Sequence, residues 1–353
     1  MTNYKRGLFS LSADPVTYGH LDIIDRASKQ CDTLIVAILH SPEKVKSYLF
    51  SGENRVSYLK RVIGDFCQNN NIEVIIFSES ASDMMLRENC DVLYRGIRND
   101  KDREYEQGQL KYHDYVYPEL STKTVFLEAS DALKDISSTI VRSFAQDHID
   151  VTDFTPMFIQ SKLWKTLHNQ RMIGVTGVYQ CEKTTIIQEA MKELRKEGIP
   201  CHHIEIEKLI TETLLEDIPS MKFLTSEFRV KSRDFPAIKY TFRDLYYHLY
   251  RAYRQKLKGL KGVIFVEWTY LTEDHLCHWV NNNVVVITRA EPQYAVSRRF
   301  AGDTFTQKGK LQSAQIQVEN YQFGTVFEFP SEVKDKEHGL GGIIVAKVRS
   351  GSL

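Results

Sequence analysis

Residues 8 to 24, LFSLSADPVTYGHLDII, bring a threonine, a glycine and a histidine together at positions 17, 19 and 20, where an apolar run hands over to an amphipathic one. At the first turn of a helix that follows a strand, these residue types suit phosphate, because free backbone N–H groups and the positive end of the helix dipole attract an anion. Gly19 lets the backbone approach a ligand closely, the Thr17 hydroxyl can donate to a phosphate oxygen, and His20 can place a proton or a positive charge beside it. The same residues also fit a plain turn with a partly buried histidine, so alone they leave both readings open. A second stretch, IGVTGVYQCEKTT at 173–185, follows an apolar run and opens a helical pattern, the setting a G-x-x-x-x-G-K-[ST] phosphate loop requires. Gly177, Lys183 and Thr184 fit that pattern, but Glu182 stands where the second glycine belongs. A carboxylate about 4 Å from a phosphate costs on the order of 4 kcal/mol at an effective dielectric near 20. This loop therefore reads as damaged.

The elements that must position these residues alternate regularly. Through residues 1–150, GLFSL, TLIVAIL, IEVIIF, DVLYRG and TVFLEA read as strands, separated by helical patterns such as HLDIIDRASKQ and NRVSYLKRVIGDFCQ. Strands spaced by helices in this way predict a parallel sheet covered on both faces. A terminal helix and a polar stretch follow at 150–171, after which MIGVTG, CHHIEIE, GVIFVEW and NNVVVIT resume the rhythm around the helix TTIIQEAMKELRKEG. The expectation is an α/β chain of two doubly wound parallel-sheet domains, 1–167 and 168–353. An insertion at 210–260 interrupts the second, and its Tyr-, Arg- and Lys-rich part, 235–262, reads as an amphipathic helix whose tyrosines line a lid or a subunit contact.

Composition sets the outer bounds. The 353 residues suffice for two domains that each bury a core, and 46 basic against 46 acidic side chains leave no global field to hold nucleic acid. The six cysteines show no Cys-x-x-Cys pair and no zinc spacing, and read as reduced thiols. The polar start MTNYKR and the lack of a membrane-length apolar run point to a soluble, cytoplasmic protein without a membrane partner.

Five further segments narrow the first domain: DPVTYGHLDIIDRA at 14–27, SPEK at 41–44, RGIRNDKDREYE at 95–106, YPEL at 117–120 and ISSTIVR at 136–142. In this order and spacing they resemble phosphopantetheine adenylyltransferase, over almost all of residues 5–165. The resemblance implies a Rossmann-like nucleotidyltransferase of coenzyme A biosynthesis that transfers an adenylyl group from ATP to 4'-phosphopantetheine. Dephospho-coenzyme A and pyrophosphate would be the products, with Mg2+ bridging the ATP phosphates. It implies catalytic roles for His20, Thr17, Lys44 and Arg98, with His20 stabilising the transition state. It places Ser12, Gly19, Arg95, Gly96, Glu106, Ser137, Ser138 and Thr139 with His20 and Arg98 at the nucleotide, and Ser12, Lys44, Arg95 and His113 at the acceptor. It also suggests a homo-oligomer. Leu11 and Ser12 stand where the family has glycine and threonine, and His113 where it has asparagine.

From about residue 171 to 330 the chain resembles dephospho-coenzyme A kinase, implying a P-loop kinase-like domain, degenerate because of Glu182 and because Glu205 and Glu207 replace the family's Asp-Ala-Asp carboxylates. Two rival readings remain at this point. One is a fusion of nicotinamide-mononucleotide adenylyltransferase with a ribosylnicotinamide kinase; the other is a pseudoenzyme that binds nucleotide or coenzyme A.

Overall fold

The structure, a computed structural model, describes residues 4–41, 47–115, 117–177, 183–209, 212, 243–268, 271, 277–280, 283–288, 325–330 and 340–350. The chain divides into two compact units, one of residues 1–147 and 151–163, the other of 148–150 and 164–353.

The first unit runs β1 (Tyr4–Leu11), α1 (Tyr18–Ser28), β2 (Cys31–Leu39), α2 (Gly52–Phe66), β3 (Ile72–Phe77), α3 (Ala81–Arg87), β4 (Val92–Ile97), α4 (Asp100–His113), β5 (Thr124–Glu128) and α5 (Ser138–Gln146). α6 (Met157–His168) follows, and the division between the units falls within it. Its sheet has the order β3-β2-β1-β4-β5, and every pairing is parallel. Because helices cover both faces, the inner strands are apolar without alternation: Leu34 to Ile38 of β2 are all fully buried. Gly7 is required in β1, since a Cβ there would lie 2.6 Å from the Tyr94 ring. Four helices begin at a serine or threonine cap: Thr17 before α1, Ser51 before α2, Ser80 before α3 and Ser137 before α5. Each cap's hydroxyl accepts a backbone N–H that the helix itself cannot satisfy.

The second unit contains β6 (Gln170–Gly177), α7 (Lys183–Lys196), β7 (Cys201–Glu205), α8 (Arg243–Leu257), β8 (Gly262–Glu267), β9 (Asn283–Thr288), β10 (Thr325–Pro330) and α9 (Leu340–Ser350). Its strands form a second parallel sheet, in the order β10-β9-β6-β8-β7. Ile186, Ile187 and Ala190 of α7 join Ile344, Val345 and Val348 of α9 over Ile173, Val175 and Phe265 of the sheet in one buried cluster. β10 and α9 extend the expected pattern; they lie beyond the long stretch from which periodicity offered no strand or helix.

The aromatic segment 235–262 corresponds in part to α8, and its residues 235–242 lie outside the described residues. Tyr253 does not line a lid or an outer contact. It is fully buried, its ring stacks 4.8 Å from that of Trp279, and its hydroxyl donates to the Trp279 carbonyl. Among the described residues no helix is long and apolar enough to cross a membrane.

Candidate active site

In the first sheet the chain runs outward from β1 through β2 to β3 and then crosses to β4 on the other side. The carboxyl ends of β1 and β4 therefore flank the switch point where open parallel sheets hold ligands. A cleft of ≈ 550 Å³ lies there, and Ser12, Thr17, Gly19, His20, Arg95, Gly96, Arg98, Glu106, Ser137, Ser138 and Thr139 all line it. Residues separated by more than a hundred positions are thus brought to one surface.

Two helix N-termini open into this cleft, those of α1 and α5. At α1 the cap is reciprocal: the Thr17 hydroxyl accepts from the His20 N–H at 3.4 Å, and the His20 ring accepts at Nδ1 from the Thr17 N–H at 3.1 Å. The ring thus replaces the usual capping-box carboxylate. Because Nδ1 is an acceptor, the ring proton sits on Nε2. Burial, and then the charge of Arg98, push the His20 pKa down to about 4. His20 is therefore a neutral hydrogen-bond donor and not a cation. The Thr17 oxygen accepts within the cap, and its hydroxyl also lies 3.3 Å from His20 Nδ1.

Cationic charge comes from β4 and the turn after it. Arg95 Nη1 donates to Ser10 Oγ at 3.1 Å, and its Nε lies 3.3 Å from Glu106 Oε2. Arg98 pairs with Asp102 through Nε at 2.8 Å. Each arginine is thus held by a carboxylate from α4, ready to turn to a stronger anion. At α5, Ser137 is the cap, and the Ser138 hydroxyl donates to the Pro15 carbonyl at 2.7 Å, tying this helix to the end of β1. A Cβ on Gly19 would meet the Leu133 carbonyl oxygen at 3.6 Å and Thr17 Oγ1 at 3.7 Å, ordinary van der Waals contact, so packing by itself does not demand a glycine there.

Two expected residues stand apart. Lys44 lies outside the described residues. His113, at the end of α4, does not line the cleft: its Nδ1 is 3.0 Å from Ser82 Oγ, and burial and then Arg95 lower its pKa. Asp102 and Tyr105 line the cleft without having been singled out. The four-residue step from Arg98 to Asp102 on a helix start is the signal that could have found the first.

In the second unit Lys183 opens α7, buried, with Nζ 3.3 Å from the Gly177 carbonyl that ends β6; Glu182 lies outside the described residues. The carboxylate gathered here is neither Glu205 nor Glu207, which are exposed, but Glu267 at the end of β8. It accepts from Thr184 Oγ1 at 2.9 Å and from His203 Nε2 at 3.0 Å. Burial pushes its pKa up, but His203, Lys183 and Thr184 together hold it below the usual range. The reason is topological: β8 pairs directly with β6, whereas β7 is the edge strand beyond it.

His20 and, in the second unit, buried His148 both keep a folded pKa of about 4 against an ordinary 6.5, in each case chiefly through burial. The unfolded chain then binds protons that the folded chain refuses, so stability should fall as pH drops from about 6.5 through about 4 and be level above about 7. Urea unfolding at a series of pH values reads this. A His20→Gln/His148→Gln double variant with an unaltered slope between pH 6.5 and 4.5 would show that other groups cause it.

Comparison with known proteins adds independent findings. Residues 12–144 match the family model described as cytidylyltransferase-like. The chain is 35% identical over 167 residues to the phosphopantetheine adenylyltransferase of Clostridium botulinum strain Langeland, covering 47% of this chain and 98% of that one. The enzyme of the same name from strain Hall matches to the same extent. Among solved structures, NadR protein in complex with NR aligns over 99% of this chain and 96% of its own at 12% identity and a TM-score of 0.35. A putative nicotinate-nucleotide adenylyltransferase from Vibrio parahaemolyticus aligns over 46% and 92%, at 13% identity and a TM-score of 0.33. At these TM-scores neither structure bears on fold or function.

Proposed function

Since the chain belongs, through its N-terminal unit, to the phosphopantetheine adenylyltransferase family and is a nucleotidyltransferase, we propose that it transfers the adenylyl group of ATP to 4'-phosphopantetheine, releasing pyrophosphate and forming dephospho-coenzyme A. The observation that carries this reading is the convergence of two helix N-termini, a neutral histidine donor and two arginines on one cleft. In-line attack of the acceptor phosphate on the α-phosphorus builds negative charge on the equatorial oxygens, and donors already aimed at that position lower the barrier without reorganising. His20 Nε2–H supplies one such donor. Arg95 and Arg98 leave Glu106 and Asp102 for the nucleotide phosphates, and the α5 N-terminus faces the same anion. The mechanism needs no covalent intermediate on the enzyme.

Among the described residues no group of three or more His, Cys, Asp or Glu side chains is placed to hold a metal ion, and both carboxylates of the cleft are engaged by arginines. Mg2+ would accompany the phosphates of ATP and offset their charge, as the family resemblance implies. Lys44 serves the phosphate of the acceptor, a charge present in ground and transition states alike. Lys44→Ala should therefore raise the acceptor KM about tenfold or more with kcat little changed. An unaltered KM would remove Lys44 from the acceptor site.

For the second unit we propose a kinase-like phosphate-binding scaffold, on the ground that Lys183 and Thr184 start a helix directly after a central parallel strand, with Glu267 beside them. One experiment tests both units. The full chain is incubated with Mg–ATP and 4'-phosphopantetheine, nicotinamide mononucleotide or dephospho-coenzyme A in turn, and pyrophosphate and phosphorylated product are measured. Pyrophosphate with 4'-phosphopantetheine alone is expected. Pyrophosphate with nicotinamide mononucleotide instead would overturn the acceptor, and rapid phosphorylation of dephospho-coenzyme A would overturn the scaffold reading.

A further inference from the structure

The two arginines of the cleft are held in unlike ways. Arg95 belongs to β4, its side chain is 17% exposed, and its Nη1 donates to Ser10 Oγ on β1, so the sheet fixes where it points. Arg98 stands beyond the end of the strand, with a side chain 45% exposed. Among the described residues all of its side-chain hydrogen bonds go to one carboxylate: Nε donates to Asp102 Oδ2 at 2.8 Å, and Nη2 donates to Oδ1 at 3.3 Å. The Arg98 backbone N–H adds a third bond, to Oδ2 at 3.3 Å.

Asp102 is the anchored member of this pair. It is the third residue of α4, its N–H donates to the Asn99 cap oxygen at 2.9 Å, and the helix dipole favours a carboxylate in the first turn. Its side chain, 29% exposed, lines the same cleft as His20 and Arg95. The cleft that gathers donors for phosphate thus holds an anion of its own. A guanidinium fork takes a carboxylate and a phosphate in the same bidentate geometry, so Asp102 and a bound phosphate group compete for one arginine. A partly exposed ion pair is weak by itself, and a multiply charged phosphate chain displaces it. The competition nevertheless loosens every phosphate ligand, and it matters most for the one that must leave.

We propose that Asp102 is a positioning residue that speeds product departure: it holds the Arg98 guanidinium between turnovers, yields it to the phosphates of the bound nucleotide, and takes it back as pyrophosphate leaves. This rests on the reading that the cleft splits ATP to pyrophosphate. Two arginines and two helix N-termini with no competing anion would retain that product, and slow release of product limits turnover.

The test uses the full chain with Asp102→Asn, which keeps the size of the side chain and removes its charge. Calorimetric titration with magnesium pyrophosphate should show binding about threefold to tenfold tighter than in the parent, the scale on which a partly exposed, charge-assisted pair competes. Steady-state turnover with Mg–ATP and 4'-phosphopantetheine should fall, and rapid mixing should show a burst of dephospho-coenzyme A in the first turnover. If Asp102 serves only to start α4, pyrophosphate binds more weakly and no burst appears; that result, or an unchanged affinity, overturns the proposal. Plain repulsion between Asp102 and the phosphates would also tighten binding, and an Arg98→Gln background separates the two. There Asp102→Asn should alter pyrophosphate affinity by less than about twofold, the limit for uncoupled changes, and a tightening that persists without Arg98 overturns the proposal. If Asp102→Asn does not fold, Asp102→Ser must give the same contrast. A parent chain that binds pyrophosphate but makes none from 4'-phosphopantetheine sinks the substrate reading, and the two titrations then decide on Asp102 by themselves; a parent that does not bind pyrophosphate overturns both.

Discussion

Replacing His20 by alanine is expected to slow adenylyl transfer by at least about a hundredfold, the scale for removing one preorganised transition-state donor. The Thr17 N–H fixes the ring as the Nε2–H tautomer, and a pKa of about 4 keeps it neutral throughout the physiological range. It contributes direction rather than net charge, so its value is greatest where charge develops on the α-phosphoryl oxygens. Arg95, Arg98 and both helix N-termini remain in the variant. ATP affinity should therefore change far less than kcat. Single-turnover pyrophosphate release beside calorimetric ATP binding separates the two, and a folded variant with undiminished turnover would take His20 out of the mechanism.

Asp14→Ala should be the most damaging single change to the stability of the first unit, about 3–5 kcal/mol, the scale for removing one partner of a buried charged network. Asp14 is 2% exposed, and its carboxylate accepts two backbone N–H groups from Leu49 and Phe50. It also takes the Arg142 guanidinium at 3.3 Å. Alanine would leave those donors buried without an acceptor, each at a desolvation cost of about 1–3 kcal/mol. It would also free one side of the turn at Ala13, whose φ of +47 a residue bearing a Cβ keeps only when its surroundings enforce it. Urea denaturation followed by a probe in the first unit should show a lower midpoint, with the second unit's transition unmoved. A loss below about 1 kcal/mol would mean that water replaces the carboxylate there.

The sequence by itself determined the alternation of strands and helices, because periodicity, caps and breakers act over a few residues: IEVIIF became β3 at its expected limits, and Thr17 and Ser137 cap the helices that face the cleft. The family resemblance also pointed to several side chains that line the cleft, among them Ser12, His20, Arg98 and Thr139, but not to Asp102 or Tyr105. What only the tertiary structure decided depends on neighbours remote in the chain. Strand order placed β8, not β7, beside β6 and so made Glu267 the carboxylate at Thr184, across 83 positions. Arg55 reads in the sequence as one more basic residue of an amphipathic helix. In the fold it is 1% exposed and donates to the Ser12 carbonyl, 43 positions away. His20 likewise reads as a cation or a donor alike until burial and Arg98 select the neutral form. The physical reason is common to all three: the free energy of a charged or titratable group is set by what excludes water from it and what pairs with it. Those partners are assembled only when distant segments pack.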